Sequence, residues 1–192
     1  MFSVTFLPKN QHTTSRWSGG TTTQLAIYPQ SSNYGDRDFI WRLSSATVED
    51  EVSTFTSLPD YNRLLSIVQG KLSLVHNGEP PVLLSPLEQN YFDGAFHTVS
   101  TGQVTDFNLM MRKGRCLGAL DAIELQAGGC CTLHDFSRLN GMEQYTQAFY
   151  CVEGCCQLSA ELDEPYEITL RAGDLLLFST DGEENLLTRL CA

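Results

Sequence analysis

The sequence predicts an all-β protein made of two small antiparallel barrels in tandem. Three observations carry that prediction: strand-like segments recur at short intervals, no window keeps helical periodicity, and a strand–turn–strand unit occurs twice. Segments rich in β-branched and aromatic residues run over Thr21–Tyr28, Phe39–Val48, Leu64–His76, Val104–Met111, Ala122–Leu125, Ala148–Leu158, Ile168–Ser179 and Leu186–Leu190, punctuated by Gly, Pro, Asn and Asp. Apolar positions at i, i+3, i+4 and i+7 are sustained nowhere, so helix is expected only as short turns over Ser57–Leu65 and Phe136–Glu143.

The repeat pairs Leu65–Val75 (LSIVQGKLSLV) with Phe149–Ser159 (FYCVEGCCQLS), with Gly70 and Gly154 at the turns, 84 residues apart. Each copy continues into a Leu-rich strand ending in Phe and a turn, VLLSPLEQNYFDG (Val82–Gly94) and ITLRAGDLLLFSTDG (Ile168–Gly182). A repeat this long, built of hairpins, fits two barrels better than a solenoid; an all-β sandwich with two similar hairpins is the alternative. The division expected is a first barrel over 1–115 and a second over 116–192, with N-terminal strands free to cross between them.

Composition narrows the function classes. A formal net charge of −11 repels phosphate backbones and anionic lipid surfaces, so neither nucleic acid nor membrane is expected as a partner. The opening stretch MFSVTFLPKNQ lacks the basic and apolar regions of a signal peptide, and no segment is apolar enough for a membrane span, which predicts a cytoplasmic protein. The seven cysteines form no CxxC unit, and in a reducing compartment they are expected as free thiols. The adjacent pairs Cys130, Cys131 and Cys155, Cys156, with His134 nearby, raise a metal or redox cluster as a further reading. Adjacent strand residues point to opposite faces, which favours the thiols as small hydrophobes.

Alternation along the strands selects candidate binding residues. In FIWRLSSATV it places Ile40, Arg42, Ser44 and Ala46 on one face, a guanidinium among small residues that leave room for an anion. An exposed Arg42 paired with an acidic neighbour is the alternative. In Thr21–Tyr28 it groups Thr22, Gln24 and Ala26, and the preceding Gly19 and Gly20 admit close approach beside Trp17 as an apolar lid. In VTDFNLMMR, Asp106, Asn108, Met110 and Arg112 share one side, with Asn108 and Met110 suited to a mixed pocket, while Phe107, Leu109 and Met111 read as core.

The order of strand, V-x-G turn, strand, hairpin and G-D-x-x-x-F strand resembles the core of a cupin barrel. Metal-dependent cupins take a Glu before the V-x-G turn and a His after the next motif's turn, preceded by a His pair. Here Arg63 stands seven residues before Gly70, and Gln147 stands seven before Gly154. His97 follows Gly94 at the last-ligand spacing, Asn185 lies near the corresponding place in the second copy, and no His pair precedes them. One imidazole does not hold a divalent ion, so neither a metal nor another cofactor is expected.

Together W-S-G-G-T-T-T-Q-L (Trp17–Leu25), D-F-I-W-R-L-S-S-A-T-V (Asp38–Val48), F-T-S-L-P-D-Y-N-R-L-L (Phe55–Leu65) and D-F-N-L-M-M-R (Asp106–Arg112) resemble the HutD/Ves family, in the family's order. The resemblance implies a bicupin, a pocket in the first barrel, and a link to histidine utilisation through binding of an intermediate. Formylglutamate and urocanate are the first candidate ligands, a small anionic metabolite gripped by Arg42 and Arg63. Trp17, Thr22, Gln24, Ser44, Asn108 and Met110 complete the expected site. Gln24 stands where the family usually has Glu, which removes carboxylate base catalysis there. Asp60 replaces the usual Gly of the P-G-x-x-R turn, and the Trp-to-Thr loop is short. The alternatives are a metal-independent isomerase or hydrolase using His97 as acid or base, and a structural or interaction subunit; a homodimer is left open.

Overall fold

The computed structural model describes residues 2–134, 144–181 and 186–192, and strands dominate them. In chain order they are β1 (Ser3–Leu7), β2 (Thr13–Trp17), β3 (Gly20–Tyr28), β4 (Trp41–Val48), β5 (Val52–Thr54), β6 (Tyr61–Gly70), β7 (Leu72–His76), β8 (Val82–Leu84), β9 (Gln89–Asp93), β10 (Thr98–Thr101) and β11 (Val104–Arg112). There follow β12 (Cys130–His134), β13 (Tyr145–Tyr150), β14 (Cys155–Glu161), β15 (Tyr166–Arg171), β16 (Leu175–Thr180) and β17 (Leu187–Cys191). The helix among the described residues is a single 3-10 turn at Lys9–Gln11.

Residues 12–122 form one unit. A six-stranded sheet in the order β2-β3-β4-β11-β6-β9 and a four-stranded sheet in the order β5-β10-β7-β8 share its core. Val48, Leu65, Ile67 and Val104 of the first meet Leu72, Leu74 and Leu84 of the second in one buried cluster. Phe39, Leu58, Tyr61 and Met110 form a separate apolar cluster on the same unit.

Residues 1–11 and 123–192 form the other unit. Its sheets run β1-β16-β13 and β12-β17-β14-β15, and Phe149, Leu176 and Phe178 pack against Leu158, Ala160, Leu170 and Leu190 between them. The first eleven residues thus join 123–192 rather than the first barrel, because β1 lies antiparallel along the free edge of β16, Ser3 opposite Ser179 through Leu7 opposite Leu175. Lys9 N–H donates to Asp174 Oδ1 at 3.1 Å and holds the end of that segment.

The topology repeats with the sequence. The order β5-β10-β7-β8 matches β12-β17-β14-β15, and the pairing of β6 with β9 matches that of β13 with β16. Arg63 is opposite Phe92 in one copy and Gln147 is opposite Phe178 in the other. Gly70 and Gly154, at the two turns, have φ of 90° and 70°, backbone that a side chain disfavours.

Several expectations are corrected. Ser57–Leu65 is a turn followed by the start of β6, because Tyr61 onward alternates between two sheet partners; it holds no helix. Phe136–Glu143, Asn185 and Gly182 lie outside the described residues, as does the side chain of His134. Ala122–Leu125 is not a strand: Leu125 packs on the second unit's core with no ladder partner. Cys130 and Cys191 are disulfide-bonded rather than free, since the β12–β17 register sets them directly opposite with Cα atoms 4.2 Å apart. Cys116, Cys131, Cys151, Cys155 and Cys156 are thiols. No helix among the described residues is long and apolar enough to cross a membrane.

Candidate functional site

Antiparallel pairing puts directly opposed residues on one face, so the register of the six-stranded sheet can be followed as rows across its inner surface. One row reads Ile27, Arg42, Met110, Arg63, Phe92. The next reads Gln24, Ser44, Asn108, Leu65, Asn90, and the third reads Thr22, Ala46, Asp106, Ile67. A bulge at Leu25 shifts β3 by one residue. It brings Ile27 inward beside Arg42 and sends Ala26 to the other face, where strict alternation had grouped it with Gln24.

Arg42 and Arg63 therefore flank Met110, two strand spacings or roughly 10 Å apart at Cα. Both are buried, at 5% and 7% exposure, so the exposed, acid-paired alternative for Arg42 does not hold. Arg42 is held from three sides: Nε donates to Gln24 Oε1 at 2.8 Å, Nη1 donates to Ser44 Oγ at 3.1 Å, and the guanidinium lies 4.4 Å from the centre of the Tyr34 ring. Arg63 stacks on Phe55 and Phe92, at 4.6 and 5.3 Å, but its Nε is buried with no acceptor. On the neighbouring strand the Oδ1 of Asn108, a residue 4% exposed, is also buried without a partner. A donor and an acceptor left open side by side in an interior are complementary to a polar ligand.

Asp106, 4% exposed, is the acidic member of the cluster. Its Oδ1 accepts from Ala46 N–H at 3.3 Å. Burial pushes the carboxyl up to about 7, against the pull of the Arg63 guanidinium and the Ala46 N–H. Burial also lowers Arg63 to about 10, against Asp106, and lowers Arg42 as well. The four-stranded sheet faces this cluster with His76, whose Nδ1 and Nε2 lie 2.8 Å from Thr98 Oγ1 and 2.9 Å from Asn90 Oδ1. Its ring is 4.7 Å from that of Phe92, which Arg63 also contacts.

The structure thus brings together Gln24, Arg42, Ser44, Arg63, Asn108 and Met110, with Thr22 one row away. Trp17 is not among them. It sits opposite Gly20 in a row with Val48, six residues along β4 from Arg42 and so roughly 20 Å away, with its ring against Gly19. His97 is exposed in the turn between β9 and β10, where its backbone N–H donates to Asn77 Oδ1 and its carbonyl accepts from Asn77 N–H at 2.8 Å. β11 has no exposed polar side: Asp106, Asn108 and Met110 are as buried as Leu109 and Met111. Asp106, Tyr34 and His76 were missed. Asp106 was legible, since it shares parity with Asn108; Tyr34 lies between strands where no periodicity speaks.

Among the described residues no three His, Cys, Asp or Glu side chains converge as an ion site. A family model described as HutD matches residues 9–190. The chain belongs to the HutD family. The chain resembles two Pseudomonas structures at 20% identity. A conserved protein of unknown function from P. aeruginosa PAO1 superimposes with a TM-score of 0.69, covering 99% of this chain and 93% of that one. HutD from P. fluorescens SBW25, determined in a formate condition, gives 0.60, covering 98% and 96%. A mutant of oxalate decarboxylase from Bacillus subtilis gives 0.54 at 6% identity over 96% of this chain and 76% of that one. These likenesses give the chain a cupin-like all-β fold. No curated protein matches it.

Proposed function

We propose that this HutD-family protein binds a small carboxylate metabolite inside the 12–122 unit and serves as a non-enzymatic modulator of histidine utilisation or a related metabolic response. The observation that carries the reading is the buried Nε–H of Arg63, which has no acceptor, while the unpartnered Oδ1 of Asn108 on the adjoining strand would take a donor elsewhere on the ligand, such as an N–H. A buried guanidinium N–H without an acceptor costs stability, and an anion supplies what it lacks. Arg42, already oriented by Gln24 and Ser44, adds a second positive charge from the far side of Met110. Ser44 and Gln24 extend the polar lining. The acidic character of the rest of the chain makes two guanidiniums in one interior a local exception.

A thermal-shift screen tests this. Formylglutamate and urocanate are titrated against the protein, with divalent metals and EDTA as controls. A saturable rise in Tm with an acid, lost in Arg42→Ala and Arg63→Ala, supports the reading. No rise with any histidine-pathway acid overturns the pathway link. The enzymatic alternative gains no support from the geometry, because His97 is exposed and stands outside the row of guanidiniums.

A further inference from the structure

Gripping an anion uses the donors of the site and leaves its open acceptor unexplained. Asn108, 4% exposed, stands on β11 between Ser44 of β4 and Leu65 of β6. Leu65 has no side-chain donor, and Ser44 Oγ is engaged with Arg42 Nη1 at 3.1 Å. Arg42 is committed again through Nε, which donates to Gln24 Oε1 at 2.8 Å. The Oδ1 of Asn108 is left buried with no donor. An amide oxygen has lone pairs and no proton, so only a donor satisfies it. Arg63 lies two residues along β6 from Leu65, opposite Met110. Its free Nε–H and the free Oδ1 of Asn108 thus rise from diagonal positions on one strand pair, roughly 7–8 Å apart at Cα, which one small molecule can bridge.

We propose that Asn108 determines the specificity of the site, which selects a carboxylic acid carrying an N–H a few bonds from its carboxylate, as in an N-acyl amino acid or an azole acid. This deepens the carboxylate reading above and rests on it. The carboxylate takes the Nε–H of Arg63, and the N–H of the same molecule donates to Asn108 Oδ1. An amide or azole N–H brings a proton to that oxygen and no lone pair against it. A simple ionised diacid has only acceptors. It satisfies Arg63 but sets oxygen against oxygen at Asn108, where burial makes the mismatch costly. The neutral amide also receives the N–H without opposing the anion, which a carboxylate at this place would do.

The test is calorimetric titration with acids matched in shape and differing in the donor: N-formylglutamate against the ester in which oxygen replaces its N–H, and urocanate against furylacrylate, whose ring has no N–H. The wild type is expected to bind the N–H member of a pair at least about tenfold more tightly than its partner. Asn108→Leu, which puts an apolar side chain of similar size in place of the open acceptor, is expected to bind both members alike. Should that variant not fold, Asn108→Ala asks the same question. Equal wild-type affinities within both pairs overturn the donor requirement and leave the carboxylate reading standing. Discrimination that survives the loss of the Asn108 amide overturns the assignment to Asn108. Absence of saturable binding by all of these acids overturns both readings.

Discussion

Arg42 Nε donates to Gln24 Oε1 at 2.8 Å across the β3–β4 ladder. The amide fixes the guanidinium without neutralising it, which a carboxylate at the same place would do. Gln24→Glu is therefore expected to weaken binding of an anion by about tenfold, or about 1.4 kcal/mol, while Gln24→Ala leaves the charge but loosens its aim. Calorimetry on the two variants separates charge from orientation.

On the proposed reading, Arg63 would serve binding at the expense of stability. Its Nε lacks an acceptor, and an apolar side chain of similar length would keep the stacking on Phe55 and Phe92. Arg63→Met is expected to abolish carboxylate binding while melting no lower than wild type, with a gain of up to about 2 kcal/mol in chemical denaturation. A large loss of stability would mean that the guanidinium is satisfied within the fold.

The buried Asp106 carboxyl makes stability depend on pH. In the unfolded chain it ionises near its ordinary value of about 3.9, in the folded chain near about 7. Between those limits the folded state binds more protons, so stability falls as pH rises, and the loss is complete above about 7, at up to about 4 kcal/mol. The Tm of the wild type should drop more between pH 5 and pH 8 than that of Asp106→Asn.

Tyr34 is stacked between two guanidiniums, its ring centre 3.9 Å from Arg37 and 4.4 Å from Arg42. Tyr34→Phe keeps the stack and is expected to bind an acid within about twofold of wild type. Tyr34→Ala removes the wall over Arg42 and should cost about 1 kcal/mol in affinity. Equal binding by both variants would remove Tyr34 from the site.

The Cys130–Cys191 bond closes a sequence separation of 61 residues around the second unit. Thiol titration of the denatured, unreduced protein should find five reactive cysteines of the seven. Cys130→Ser should lower stability, by at most about 4 kcal/mol on chain-entropy grounds. Seven reactive thiols would show the pair to be opposed but unbonded.

The sequence by itself determined the strand class, the repeat and the parity that aligns Arg42 with Ser44 and Asn108 with Met110, because all of these follow from local period-two geometry and from glycines at fixed turns. Tertiary structure decided the rest. The Leu25 bulge that swaps Ala26 for Ile27 is a two-strand event, invisible to alternation in one strand. The departure of Trp17 from the site follows from register along β4, and the transfer of β1 to β16 and the meeting of Cys130 with Cys191 follow from pairings between segments far apart in the chain. Whether Asp106 carries a charge is decided by burial among other strands, since desolvation is a property of the assembled interior and not of the residue.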